Sequence, residues 1–353
     1  MKIRDIETPA ILLDRKIMEE NSRKMEEIIR GTSMVLYPYY KSHKCLPIAQ
    51  WQMAHGAGGI TCAKLGEAED LIEGGIPRVV IANQVVQPEK LSRLAKLAGR
   101  ADLTVCADAE ENILALEAAC AANNTQLSVL IELEVGMNRC GAESFEEFYA
   151  LARLTEAQPH LSFRGIQAYA GHLAHESDAK KRRETLLRIE KRVAELKRYL
   201  EERGLAVREI CGGSTGTAAD KPKDTVYTQL QAGSYLFMDT SYERLDLCFE
   251  HAMKIAATVI SVKPDRIVTD CGVKSLTMDQ FPPRYEAYPD AELSFSEEHT
   301  TILVRNADAA LGDTLFCIPG HCCTTNNCFG KIYLVDGDEV LAEWPVTSRG
   351  KAQ

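Results

Sequence analysis

A chain of 353 residues, 45% hydrophobic and 26% charged, has an ordinary globular composition, with room for two cores or for one large α/β barrel with an appendage; disorder, collagen and coiled coil are excluded. The 41 Lys and Arg against 51 Asp and Glu leave a net charge of −10, and the densest basic run, 180–183 with Arg188, Lys191 and Arg192, is interleaved with Glu184, Glu190 and Glu195 as on a solvated helix face, so no nucleic-acid partner is expected. The N-terminal MKIRDIETPAILLD has no apolar signal core and no run is long enough to span a bilayer, which points to the cytoplasm and to reduced states for the 12 cysteines.

From about residue 33 one grammar repeats, a short apolar or β-branched run followed by a polar segment of helical period. It predicts strands at 34–40, 59–63, 78–82, 103–106, 127–133, 161–168, 208–211 and 228–232, with helices at 64–73, 88–98, 109–122, 145–157 and 177–203 between them. Eight such units in roughly 200 residues suit a TIM (β/α)8 barrel, which typically takes ~250, with a doubly wound open sheet as the alternative. The barrel is expected over 15–245. Beyond it the runs at 252–262, 266–270, 301–304, 314–318, 331–335 and 339–344 are separated by turns and show no clear helix. They predict a second, mostly antiparallel β domain over 246–353, completed by the N-terminal segment 1–14 through its apolar run at 8–14.

In a barrel of parallel strands the site lies at the C-terminal strand ends. The first run, VLYPYYKSHK, delivers Lys41 there. A lysine at a barrel mouth near another cation has a lowered pKa and can form a Schiff base with an aldehyde cofactor. The last two strands lead into CGGSTGT (211–217) and QAGSYLFMD (231–239), where such barrels frequently bind phosphate with backbone N–H groups and small hydroxyls. IELEVGMNRCG carries Arg139 out after a glycine turn, and QAYAGHLAH brings Tyr169, His172 and His175 to the rim that holds Lys41, a grouping suited to acid–base work. In IPGHCCTTNNC an extended segment would turn His321 and Cys323 to one side and Cys322 to the other. Imidazole with thiolate suits a borderline-soft divalent ion, and two protein ligands leave open positions, the catalytic pattern.

These segments, with ETPAILLD, GAGGITCAKLGEAE, TDCGVKSLTMD and EEHT in order along nearly the whole chain, resemble the D-threonine aldolase and D-serine dehydratase-like family of fold-type III pyridoxal-phosphate enzymes. The resemblance implies an alanine-racemase-like barrel holding pyridoxal phosphate, a β domain from the two chain ends, and a homodimer with each site completed at the interface. It makes Lys41 the cofactor lysine and sets Arg139 against the pyridine nitrogen, with Tyr169 beside the lysine linkage. Ser214, Thr215, Gly233 and Ser234 would hold the phosphate, and Tyr235 belongs to the same turn. His321 and Cys323 match the family's metal pair, with zinc favoured by the thiolate and manganese or magnesium as alternatives. Because an arginine keeps its proton, the ring would be a weaker electron sink, which gives a metal on the substrate's β-hydroxyl a chemical reason. The chain departs from the family where an arginine, proline and histidine commonly precede the lysine: here stand Tyr37, Pro38, Tyr39 and Tyr40.

Two reactions of a D-3-hydroxy-α-amino acid fit. In retro-aldol cleavage a base, His175 by its match to the aldolases, takes the hydroxyl proton and the Cα–Cβ bond breaks, giving glycine and an aldehyde. In dehydration Lys41 removes the α proton and the metal helps hydroxide leave, giving a 2-oxo acid and ammonia. The segment 169–175, GSTGT and QAGSYLFMD resemble the aldolases, whereas Cys323 resembles the dehydratases, so the balance favours the aldolase and keeps the dehydratase as the alternative. A non-catalytic pyridoxal-phosphate carrier would lack the β domain. An amino-acid racemase would need a base there, for which Tyr285 and Tyr288 are the candidates.

Overall fold

A computed structural model describes residues 1–353, and in it the chain divides into two units, one from Met1–Met25, Ser42–Pro47 and Ser234–Gly350, the other from Glu26–Lys41, Ile48–Gly233 and Lys351–Gln353. The chain therefore passes between the units five times, after Met25, Lys41, Pro47, Gly233 and Gly350.

The chain opens with β1 (Ala10–Asp14) and α1 (Arg15–Ile29). The alternation follows as β2 (Val35–Leu36), α2 (Leu46–Ala54), β3 (Ile60–Cys62), α3 (Leu65–Glu73), β4 (Arg78–Gln84), α4 (Pro88–Ala98), β5 (Asp102–Ala107) and α5 (Glu110–Asn123). It continues with β6 (Leu127–Glu132), α6 (Phe145–Glu156), β7 (Leu161–Ala168), α7 (Ala179–Glu201), β8 (Glu209–Gly212) and β9 (Gln229–Leu230). Strands β2 to β9 form one eight-stranded sheet in the order β2-β9-β8-β7-β6-β5-β4-β3, every pair parallel. A parallel bridge between Tyr39 and Thr61, with the Thr61 N–H donating to the Pro38 carbonyl at 3.0 Å, joins its two ends and closes the barrel.

Strands buried on both faces read as continuous apolar runs, and Tyr37, Val80, Cys106, Leu130 and Cys211 pack together as one buried cluster. At the N-terminal strand ends Arg164 donates to Glu209 at 2.8 Å and also to Asp102, while Arg78 donates to Asp102 at 2.8 Å and to the Tyr37 hydroxyl at 3.1 Å. Burial opposes the Arg164 charge, but the two carboxylates outweigh it and raise its pKa further. The helices start on suitable caps: Ser144 accepts from the Glu147 N–H, Asp178 accepts from the Lys181 N–H, and Pro88 opens α4. One expectation needs correction. The strand expected at 34–40 is regular only at Val35–Leu36, because Pro38 has no N–H to donate and Tyr40–Ser42 wind into a 3-10 turn that carries Lys41. The helix α2 shows no apolar period in the sequence, and it buries Ile48, Ala49 and Gln52.

The other unit adds α8 (Thr240–Glu243), β10 (Met253–Lys263), β11 (Arg266–Thr269), β12 (Arg284–Tyr285), β13 (Glu292–Phe295), β14 (Thr300–Leu303), β15 (Thr314–Ile318), α9 (Cys322–Asn326), β16 (Lys331–Asp336) and β17 (Glu339–Pro345). Its nine-stranded sheet runs β13-β14-β11-β10-β1-β16-β17, with β15 pairing β10 and β12. All pairs are antiparallel except that of β1 with β16, so the N-terminal run does complete this sheet. Ile6, Ala10, Leu12, Ala256, Tyr333 and Val335 form a core cluster at that junction. The expectation of a region without helices fails at α8 and α9, one turn each. Both begin where the buried carboxylate of Asp239 meets their first N–H groups: Oδ1 accepts from Tyr242 at 3.0 Å and Oδ2 from Cys322 at 2.8 Å.

Candidate active site

The strand ends of the barrel and the Lys41 turn enclose a cavity of ≈ 260 Å³ whose lining includes Tyr39, Lys41, Asn83, Gln84, Glu132, Arg139, Gln167 and Tyr169. Lys41 Nζ lies 4.6 Å from the centre of the Tyr39 ring, and burial pushes the Tyr39 hydroxyl well above its ordinary pKa, so it stays neutral beneath the amine. Arg139 Nη2 is 3.6 Å from Glu132 Oε1, and its guanidinium carbon is 5.9 Å from the centre of the Tyr169 ring. Glu132 is buried; Gln84 Nε2 donates to its other oxygen at 2.7 Å, and burial raises its pKa against the opposing pull of Gln84 and Arg139. The loop that carries Arg139 folds over Glu134, which accepts from the backbone N–H groups of Gly136 and Arg139. Burial works against the Glu134 charge, yet these N–H groups hold its carboxyl below the usual range.

Lys41, Arg139 and Tyr169 are thus brought together, whereas His172 and His175 are not among the cavity's lining residues and are exposed. A Cβ at Gly136, where φ is +112°, would lie 3.0 Å from the His172 ring, so that histidine packs on the Arg139 loop. Sequence reading missed Asn83, Gln84, Glu132 and Gln167, although each follows an apolar run at the C-terminal end of its strand, the same signal that found Lys41. The tyrosines that replace the family's usual residues have other work. Tyr37 accepts from Arg78, Tyr39 underlies the lysine, and the Tyr40 hydroxyl donates to Asp70 Oδ2 at 2.7 Å.

After β8 the backbone turns through Gly212 and Gly213, with φ of +154° and +79°. A Cβ at Gly212 would sit 2.3 Å from the Ala168 carbonyl oxygen, which only glycine avoids. Ser214 then leads a 3-10 turn at Thr215–Asp220, where its N–H donates to Thr217 Oγ1 at 3.1 Å. Ser214 and Thr215 are buried at this turn. Gly233 ends the second glycine-rich stretch, and Ser234 and Tyr235 begin the 3-10 turn Ser234–Leu236 in the other unit.

In that unit His321 and Cys323 meet, but not as expected. The segment is not extended: His321 is the N-cap of α9 and Cys323 its second residue, and an N-cap side chain lies alongside the first residues of the helix it caps. Cys323 is within hydrogen-bonding contact of His321, and its sulfur is 4.0 Å from Ser234 Oγ. His321 Nδ1 donates to Asp279 Oδ2 at 2.7 Å, and Thr324 Oγ1 donates to Asp279 Oδ1 at 2.8 Å. Burial disfavours the imidazolium, but Cys323 and Asp279 beside it push its pKa up to about 9. Cys322 is fully buried. Asp239 and Asp279, which each end a segment singled out in the sequence, are the two carboxylates that hold this turn, and spacing alone does not show it. Of the two tyrosines considered as racemase bases, Tyr285 is buried with its hydroxyl 2.7 Å from Thr269 Oγ1, and Tyr288 donates to the Asp308 carbonyl at 3.3 Å.

Comparison with known proteins gives two family matches, the alanine racemase N-terminal domain over residues 13–241 and the serine dehydratase domain over 252–335. A D-threonine aldolase of Arthrobacter sp is 35% identical over 353 residues, 98% of this chain and 93% of that protein. A 3-hydroxy-D-aspartate aldolase of Paracoccus denitrificans is 34% identical over 360 residues, again 98% and 93%. The crystal structure of a D-threonine aldolase from Filomicrobium marinum superimposes with a TM-score of 0.95 at 34% identity, covering 100% of this chain and 98% of that one.

Proposed function

The chain belongs to the D-threonine aldolase and D-serine dehydratase-like family of enzymes, and we propose that it is a lyase that cleaves D-3-hydroxy-α-amino acids to glycine and an aldehyde, with pyridoxal phosphate and a divalent metal ion as cofactors. The observation that carries this reading is the strand-end cavity, in which one primary amine, Lys41, and one guanidinium, Arg139, share ≈ 260 Å³. That donor set suits an aldehyde-bearing pyridine, and imidazole with thiol suits a borderline-soft ion. When bound, pyridoxal phosphate supplies an aldehyde for the substrate amine and a ring that withdraws electrons from Cα, and the metal supplies a Lewis acid for the β-hydroxyl.

The residues divide the work. Lys41 anchors the cofactor, and Tyr169 packs beside it. Arg139, which cannot give up its proton, would face the ring nitrogen, with Glu132 and Gln84 behind it. Ser214, Thr215, Gly233 and Ser234 would take the phosphate, and Tyr235 belongs to the same binding turn. His321 and Cys323 would hold the metal, zinc favoured by the thiolate, with manganese or magnesium as alternatives. His175 accepts the proton of the β-hydroxyl oxygen; the Cβ–O bond becomes a carbonyl, the Cα–Cβ bond breaks, and its electron pair stays on Cα until a proton completes glycine. The reading takes the protein as a cytoplasmic homodimer, which its 12 free thiols suit.

Dehydration to a 2-oxo acid and ammonia is the second reading, favoured by the thiol at position 323. Incubating the metal-loaded protein with D-threonine separates the two: glycine with acetaldehyde is the expected product pair, and ammonia with 2-oxobutanoate as the main products would overturn it.

A further inference from the structure

Helix α7 buries two charged side chains, Arg182 and Glu190, and neither takes part in the chemistry above. Arg182 Nε donates to Asp220 Oδ2 at 2.6 Å, and Lys221 Nζ donates to Glu190 Oε1 at 2.7 Å. One helix thereby grips two adjacent residues of opposite sign at the end of the 3-10 turn that follows Gly212 and Gly213. The second pair is sealed from water, with Lys221 and Glu190 side chains only 1% and 8% exposed. The Glu190 oxygens also accept from Thr225 Oγ1 at 2.8 and 2.9 Å and from the Val226 N–H at 3.4 Å.

Burying an ion pair is a poor way to gain stability, since desolvation offsets the attraction. Burial draws Lys221 down to about 8 in spite of Glu190. The geometry supplies another reason for the pair. Lys221 Nζ is 3.2 Å from the centre of the Tyr227 ring, and the Tyr227 hydroxyl donates to the Ala168 carbonyl at 2.9 Å. A Cβ at Gly213 would lie 3.1 Å from Lys221 Cε, and one at Gly212 would lie 2.9 Å from Tyr227 Cε1. The two glycines of the turn rest directly on the lysine stem and the tyrosine ring.

We propose that Lys221, fixed by Glu190, is a positioning residue for the cofactor's phosphate ester: it sets the backbone of the Gly212–Thr217 turn and so sets the preference for the phosphorylated over the unphosphorylated cofactor. This rests on the pyridoxal-phosphate reading above. The test is a titration of cofactor-stripped, full-length protein with pyridoxal phosphate and with pyridoxal, followed by absorbance, for wild type and Lys221→Met. The expected result is that pyridoxal phosphate binding weakens by about tenfold, the loss of roughly one charge-assisted contact's worth of order, while pyridoxal binding changes by less than about twofold. Equal weakening of both ligands, or no change in their ratio, would overturn the proposal. Should the single variant fail to fold, Lys221→Met with Glu190→Leu removes the stranded carboxylate as well, and the same ratio is read. Wild-type protein that takes up neither ligand would instead overturn the cofactor reading itself.

Discussion

Gln84, Glu132 and Gln167 reach the barrel cavity from three separate strand ends laddered to their neighbours, and Lys41 from the 3-10 turn after β2, whereas His321 and Cys323 sit two residues apart on one turn. In the barrel the sheet does the placing, so each side chain is held by its own hydrogen-bonded frame and largely independently of the rest. In the other unit two carboxylates do it: Asp239 caps the turn and Asp279 holds the imidazole. A distributed site loses one contact when one residue changes, while a site on a single turn shifts as a body.

The comparison can be broken at several points. Lys41→Ala should have the largest effect, a loss of more than ~10⁴-fold in glycine release from D-threonine, with the far-ultraviolet circular dichroism unchanged; retained turnover would remove the lysine from the chemistry. His175→Ala comes next, lowering kcat by about 10²–10⁴-fold while the visible absorbance of the bound cofactor persists. Asp279→Ala should weaken metal affinity by about 10–100-fold, read by competition with a chelator, with cofactor affinity left as it was. If both affinities fell together, the two sites would not be built independently. The smallest effect is expected from Asp239→Ala, which removes a cap from α8 and from α9 at about 0.5–2 kcal/mol each, measured by denaturant unfolding.

The barrel was legible because its physics is periodic. The runs 161–168 and 88–98 coincide with β7 and α4, and the others agree with their strands and helices to within a few residues, since strands buried on both sides must be apolar throughout and helices need a stripe and a cap. The same rule led to Lys41, Arg139 and Tyr169 but passed over Glu132 and Gln167, because a polar residue inside an apolar run reads as an interruption until the strand end is located. The pairing of His321 with Cys323 was legible as residue types and not as geometry. Nothing in HCCTTNN signals that its first N–H is capped by Asp239, 83 positions away, and that long-range contact is what makes the segment helical. The Gly212–Thr217 turn shows a similar limit. Its glycines are visible in the sequence, but the buried Lys221 that they rest on lies in what looks like a polar loop, AADKPKDT.

Two of the five passages of the chain between its two units, at Lys41–Ser42 and Gly233–Ser234, bear on how such a protein can change over generations. A unit encoded in one continuous stretch can be duplicated, lost or traded by a single recombination. Here the stretch Ser42–Pro47 belongs with residues that follow 233, so any breakpoint that frees the barrel also cuts the backbone beside Lys41 and beside Gly233. Freeing either half of this chain intact takes several cuts, so a single recombination event within it is expected to damage both.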